Sequence, residues 1–211
     1  DCYVNGTLLS RDYFNPGCTQ YNKTLFYQTY DITPLLTKGQ NALGIMLNEG
    51  WWSGASTFAG ENWNFYGDRQ SVLAQAIITY ADGTTTRVVS SPDIWRYTTD
   101  GPVRLGSFFQ GEVYNALQEA AVQGWSTAAF DDHAWRNAVQ IPLEGTISHA
   151  QPSGFFAWPT PDNYVGFKLM AQVGKPVRHF TTLQSQRVDQ PRPGVFVYDM
   201  GQNMAGVPRI T

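Results

Sequence analysis

The sequence predicts an all-β protein, an antiparallel β-sandwich of jelly-roll type, and three observations carry that expectation. Short runs of apolar or alternating residues recur along the chain between turn signals. One dipeptide, Asp82-Gly83, joins two β-branched runs and supplies the positive φ that a tight hairpin demands. Helical periodicity is weak throughout.

In chain order, "DCYVNGTLLS" breaks at Asn5-Gly6. "NALGIMLNEG" is a brief apolar run between a turn at Gly39 and another at Gly50, the pattern of a buried sandwich strand. From Val72, "VLAQAIITYADGTTTRVVSSPDIWRYT" holds two β-branched runs joined across Asp82-Gly83, where a type I′ turn would place Gly83 at positive φ. "FDDHAWRNAV" is the best helical candidate, but it is long enough only for one turn, capped by Asp131 or Asp132 and carrying Trp135 inward. The stretch from Pro142 to Pro161 is rich in Pro and Gly and lacks periodicity, as a surface linker does. The expected organisation is therefore a sandwich domain over residues 1–145, a linker over 146–165, and the first strands of a second β domain over 166–211. Three strands cannot bury a sandwich core by themselves, so the chain reads as a fragment.

Composition narrows the function. Of the 211 residues, 42% are hydrophobic and 15% charged, the balance of a packed globular protein and not of a disordered one. A formal net charge of −3, without extended Lys/Arg clusters, lacks the electrostatic footprint of a nucleic-acid binder. No apolar run reaches the ~20 residues of a membrane-spanning helix, and "DCYVNG" is not an export signal, so any such signal would lie outside this sequence. Cys2 and Cys18 are read as unpaired, because sequence alone cannot bring their Cα atoms within bridging range. His133, His149 and His179 are scattered and build no zinc site. The sequons at Asn5 and Asn22 are treated as chance.

The blocks "NPGCTQYNKTLFYQTYDITPLLTKGQNALGIMLNEGWWSG", "YGDRQSVLAQAIITYADGT", "GEVYNA" and "GWSTAAFDDHAWRNA" resemble, in order, the signatures of the N-terminal β domain of bacterial-type α-L-rhamnosidases. "PGVFVYDMGQNMAGVPRIT" is similar to the start of the concanavalin-like sandwich that follows it in that family. The resemblance implies a parent glycosidase that removes terminal α-L-rhamnose by inversion, with its acid and base in a downstream (α/α)6 barrel. It implies no catalytic residue in this chain. Inversion needs two carboxylates facing each other across a water, ~6.5–9.5 Å apart, whereas Asp131 and Asp132 are chain neighbours whose side chains diverge. A periplasmic or extracellular location is expected ahead of a cytoplasmic one.

The resemblance also frames Trp51 and Trp52. Some members of the family use this domain to hold rhamnose with the help of calcium. An aromatic face stacks on a pyranose while amides and carboxylates take its hydroxyls, and calcium collects oxygen ligands of the same types. Such residues crowd this part of the chain: Tyr21, Asn22, Asn48, Glu49, Asn62, Asn64 and Asp68. The candidate carbohydrate contacts are Trp51, Trp52, Tyr21, Asn48 and Glu112, and the candidate calcium ligands are Asn22, Asn64 and Asp68. The partners expected are a rhamnose-containing carbohydrate and the parent's catalytic barrel and remaining β domains, without nucleic acid or membrane.

The competing reading makes one Trp a plug of the sandwich end and the polar residues ordinary turn formers. Two departures from the family weigh toward it. Cys18 and Gln20 stand in "PGCTQY" where relatives often carry "PGWTDY", and Asn115 and Leu117 follow "GEVY" where relatives often show Asp and Arg. Because side chains alternate along a strand, Trp51 and Trp52 should face opposite ways, one buried and the other largely exposed beside Asn48, Asn64 or Asp68. Asp199 to Gly206, "DMGQNMAG", is read as a turn into the next domain and not as a substrate contact.

Overall fold

The computed structural model describes residues 1–55, 63–143 and 164–209. The fold is all-β. Among the described residues fifteen short strands are joined by turns and by three 3₁₀ turns at Thr33–Leu35, Ala116–Gln118 and Ala120–Val122. They fall into two compact units, Asp1–Pro176 and Val177–Thr211. No helix among them is long and apolar enough to cross a membrane.

The first unit opens with β1 (Cys2–Val4), β2 (Thr7–Leu8), β3 (Asp12–Tyr13), β4 (Thr24–Tyr27) and β5 (Leu43–Ile45). β1 lies between β2 and β5 in an antiparallel sheet of order β2-β1-β5. Val4 faces Thr7 across the β1–β2 turn, and Asn5 (φ 49) and Gly6 (φ 81) both adopt the left-handed conformation their sequence signalled. Tyr3, opposite Gly44, packs edge-on against Trp125 with ring centroids 5.3 Å apart. Cys2 and Cys18 are both free thiols.

β6 (Gln75–Thr79) and β7 (Thr85–Val89) form the central hairpin in the register Gln75↔Val89 to Thr79↔Thr85. Its connection differs from a two-residue turn. Tyr80 N–H donates to the Thr84 carbonyl at 2.9 Å, which leaves Ala81, Asp82 and Gly83 as a three-residue loop with Gly83 at φ 83. Asp82 then has work of its own, its carboxylate accepting from Thr84 N–H (2.9 Å) and Thr84 Oγ1 (2.6 Å). The longer loop suits a chain in which only the Gly can take positive φ without strain.

β8 (Arg96–Tyr97) pairs with β11 (Arg136–Asn137), and β9 (Val103–Ser107) with β10 (Gly111–Tyr114), both antiparallel. The segment before β11 is a turn closed by Trp135 N–H donating to the Asp132 carbonyl, not a helical turn. Asp131 still caps, accepting from His133 N–H at 3.0 Å, and Trp135 packs on Phe130. β12 (Lys168–Ala171) runs parallel to β4, from Lys168↔Thr24 to Ala171↔Tyr27. This is a departure from the purely antiparallel expectation. Parallel neighbours need a long connection, and here almost the whole unit supplies it. Residues 146–163 of the expected linker lie outside the described residues.

The second unit contains β13 (Val177–Arg178), β14 (Arg187–Arg192) and β15 (Val195–Asp199). β14 and β15 form an antiparallel hairpin with an irregularity between Asp189 and Arg192, where Pro191 has no N–H to give the ladder. Arg187 forms ion pairs with Asp189 (3.0 Å) and Asp199 (3.9 Å) on one face, while Val188 faces Tyr198 on the other.

Few apolar side chains are fully buried. Among the described residues the buried hydrophobics are Val4, Tyr21, Ala55 and Tyr164. Contacts between aromatic rings therefore carry much of the packing, and two ring clusters meet at Trp51-Trp52.

Candidate functional site

Trp51 and Trp52 lie in a series of bends that follows β5, not in a strand, yet their side chains part company as expected. Trp52 enters a closed cluster. Its ring stacks with Tyr66 (centroids 6.5 Å, interplanar 17°) and meets Tyr164 at 5.7 Å and Tyr21 at 6.0 Å. The indole N–H donates to the Arg69 carbonyl at 3.1 Å. Tyr21 is 1% exposed and gives its hydroxyl to the Gly17 carbonyl, and Tyr164 gives its own to the Tyr66 carbonyl. Burial pushes both the Tyr21 and Tyr66 phenols above their ordinary range.

The backbone is cut to fit this cluster. A side chain at Gly67 would place its Cβ 2.2 Å from Trp52 Nε1, so only glycine lets the indole lie down. Residues 63–69 return along 52–55: Asn64 N–H donates to the Gly54 carbonyl (2.8 Å), Gly67 N–H to the Trp52 carbonyl (3.1 Å), and Ala55 bridges to Trp63.

Trp51 turns toward the β9–β10 hairpin. Its ring lies 5.0 Å from Phe108 and 5.9 Å from Phe109, in the turn between the two strands. Phe108 in turn meets Phe14 edge-on at 5.0 Å, and Phe14 lies 6.2 Å from Tyr13. Beside these rings, Asn48 presses its amide onto Gly106, where a Cβ would come within 2.3 Å of Asn48 Nδ2. Gly106 is the cross-strand partner of Glu112. Partners directly opposite in an antiparallel pair project to the same face, so Asn48 and Glu112 share it.

The candidate residues thus divide. Trp51, Asn48 and Glu112 gather at the β9–β10 hairpin, whereas Trp52 and Tyr21 belong to the closed cluster. Asn22, 8% exposed, is buried next to Tyr21 in sequence, and Asn62 lies outside the described residues. Both indoles are half-buried, so the expectation of one largely exposed Trp is not met. The reason is that Trp51 has ring neighbours of its own.

Two of the three expected calcium ligands, Asn64 and Asp68, are engaged within the chain. Asn64 Oδ1 accepts from Gly54 N–H at 2.7 Å, and both Asp68 oxygens receive the Arg69 guanidinium, at 2.6 and 2.7 Å. A carboxylate already neutralised by a fork of N–H donors is a poor calcium ligand. Among the described residues no group of three or more His, Cys, Asp or Glu side chains is placed to hold a metal.

Sequence reasoning passed over Phe14, Tyr66, Phe108 and Tyr164. Each becomes informative only through ring partners distant in sequence, which no local pattern names. Glu49 was noted only for its type. Its Oε2 is buried without a hydrogen-bond donor, close against Gly54. Of the sequons, Asn5 is committed to structure: its amide N–H donates to the Leu35 carbonyl and to Asn41 Oδ1.

An all-β unit of this kind has counterparts among known proteins. The family model of the α-L-rhamnosidase N-terminal domain matches residues 1–155. The chain is 38% identical over 210 residues to an α-L-rhamnosidase of Streptomyces avermitilis, covering 100% of this chain and 18% of that protein. It is 35% identical to one from Alteromonas sp., covering 99% and 20%. Among solved structures, it superposes on the α-L-rhamnosidase of Dictyoglumus thermophilum with a TM-score of 0.72 at 29% identity, over 96% of this chain and 19% of that one. For native α-L-rhamnosidase from Aspergillus terreus the TM-score is 0.76 at 28% identity, over 96% and 21%. The chain belongs to the α-L-rhamnosidase N-terminal domain family. It spans about a fifth of the length of the curated relatives it matches.

Proposed function

We propose that this chain acts within an α-L-rhamnosidase as a non-catalytic domain that holds rhamnose-containing glycans and braces the catalytic barrel. The observation that carries the first half is the convergence of Trp51, Asn48 and Glu112 at the β9–β10 hairpin: a ring to stack on the apolar face of a pyranose, with an amide and a carboxylate on a neighbouring face to take its hydroxyls. The adjacent acids support a non-catalytic role, since Asp131 is engaged by His133 and Asp132 lies 3.7 Å from Arg96. Cleavage of the rhamnoside, with inversion, is assigned to the parent's barrel.

Titration with L-rhamnose, with and without calcium, tests this. Binding by one half-buried indole should be weak, around the ~1 mM regime, and Trp51→Ala should abolish it. An aryl α-L-rhamnoside should not be hydrolysed. No heat of binding at any accessible rhamnose concentration would leave only the bracing role.

A purely structural module is the second reading, favoured by the apolar side chains that β6 and β7 leave uncovered, Ile77 (57% exposed) and Val88 and Val89 among them. Faces of this kind are interaction surfaces in larger assemblies. Ile77→Asp should lower the melting temperature of a full-length parent while leaving that of this chain unchanged. In the same spirit, we read the β14–β15 hairpin, with Phe196 and Tyr198 exposed, as the opening of a second β-sandwich.

A further inference from the structure

Four rings at the β9–β10 end form a connected strip, Tyr13, Phe14, Phe108 and Trp51, with successive centroids 6.2, 5.0 and 5.0 Å apart. Asn48 and Glu112 lie at Gly106 on β9, two residues before Phe108. The far end is the more open one: Tyr13 is 50% exposed, Phe14 53% and Phe108 38%. Phe14 is also held at φ 61, a left-handed conformation that a bulky aromatic residue adopts at a cost. Phe14 packs on Phe108 yet stays half exposed, which leaves ring surface for a ligand to cover.

Resting on the carbohydrate reading above, we infer that Phe14, with Phe108 and Tyr13, extends the Trp51 site so that it takes a chain of two or more sugar residues and not a single terminal one. The spacing of the rings suits successive pyranoses, each with an apolar face to lay on one of them. The planes turn by 47°, 86° and 57° along the strip, so it is a twisted track and not a flat one. It fits a soluble oligosaccharide whose residues rotate along the chain, and it does not fit the plane of a crystalline polysaccharide. Asn48 and Glu112 orient the residue over Trp51, and the outer rings add area without further polar selection.

The test compares L-rhamnose with a rhamnose-terminated tetrasaccharide by calorimetry on the full 211-residue chain, in wild type, Trp51→Ala and Phe14→Asn. Asn tolerates the left-handed conformation, so Phe14→Asn removes the ring without disturbing the turn. The tetrasaccharide should bind wild type roughly three- to tenfold more tightly than rhamnose, the scale of one or two added ring contacts. Phe14→Asn should erase that gain and leave the rhamnose affinity unchanged, and Trp51→Ala should abolish both. If rhamnose binds but the tetrasaccharide gains nothing, or Phe14→Asn keeps the gain, the extended track is wrong and the single-sugar site stands. If neither ligand binds wild type, both the extended track and the carbohydrate reading fall.

Discussion

Trp51 and Trp52 are chemically identical neighbours, yet the chain has put them in two different environments. Around Trp52 the rings of Tyr21, Tyr66 and Tyr164 close in, the indole N–H is bonded, and Gly67 yields its side-chain volume. Around Trp51 the rings form an open row ending in exposed Phe14 and Tyr13, with an amide and a carboxylate to one side. The first arrangement spends aromatic surface on cohesion, and the second leaves it available. The role of a tryptophan in such a pair is set by what the following segments bring back to it, residues 63–69 in one case and the β9–β10 turn in the other.

The sharpest way to break this contrast is to truncate each ring in turn. Trp52→Ala should cost about 3–5 kcal/mol of stability in urea denaturation, the range for removing a large packed aromatic, while Trp51→Ala should cost about 1–2 kcal/mol. Equal losses would mean that the two environments do not differ. Next come the glycines beneath the rings. Gly67→Ala would drive a methyl group into the Trp52 indole and should cost about 2–3 kcal/mol. Gly106→Ala meets only the movable end of Asn48 and should cost about 1 kcal/mol or less, but it should weaken sugar binding by displacing that amide.

Alkaline titration sharpens the closed side. Because burial raises the Tyr21 phenol above its unfolded value near ~10, the folded state favours the protonated ring. That stability is fully present below pH ~10 and is lost as the pH climbs from there toward the folded-state value. Urea midpoints across that window should fall in wild type and fall less in Tyr21→Phe; identical slopes would remove Tyr21 from the account. The smallest effect is expected at Glu49, between the two regions. With Oε2 buried and unpaired, Glu49→Met should leave stability unchanged or raise it by up to about 1 kcal/mol. A clear loss would show that its carboxylate supports one of the two clusters.

Much of the fold could be read in the residues themselves because turns are local chemistry. Asn5-Gly6 and Gly83 adopt the positive φ that their types permit, and the runs between them pair as strands. The family was legible for a similar reason, since its motifs are contiguous blocks. The parallel β4–β12 pair was not, because it joins segments separated by most of the unit and no local pattern encodes that partnership. For the site, Trp51 and Trp52 diverge as expected, but not for the expected reason: they lie in bends and not in a strand, and the segments that return to each one set them apart. The strip through Phe14 and Phe108 was not legible, because a Phe side chain carries no signal of which distant ring it will meet. That Arg69 engages Asp68 and Gly54 N–H bonds Asn64 was not legible either, because residue types do not name their partners.

The β1–β2 turn has a consequence for how the protein ages. An Asn-Gly sequence is the chemical weak point of many chains, because the glycine nitrogen can attack the asparagine side-chain carbonyl and convert it, through a cyclic imide, to aspartate or isoaspartate. Here both reactants are occupied: Gly6 N–H donates to the Ser126 carbonyl at 2.9 Å, and the Asn5 amide is held through Ala42 N–H, Leu35 and Asn41. Folding therefore shields the most reactive dipeptide of its first hairpin, and a one-dalton gain in the peptide spanning Asn5-Gly6 becomes a slow clock that runs only while that turn is open.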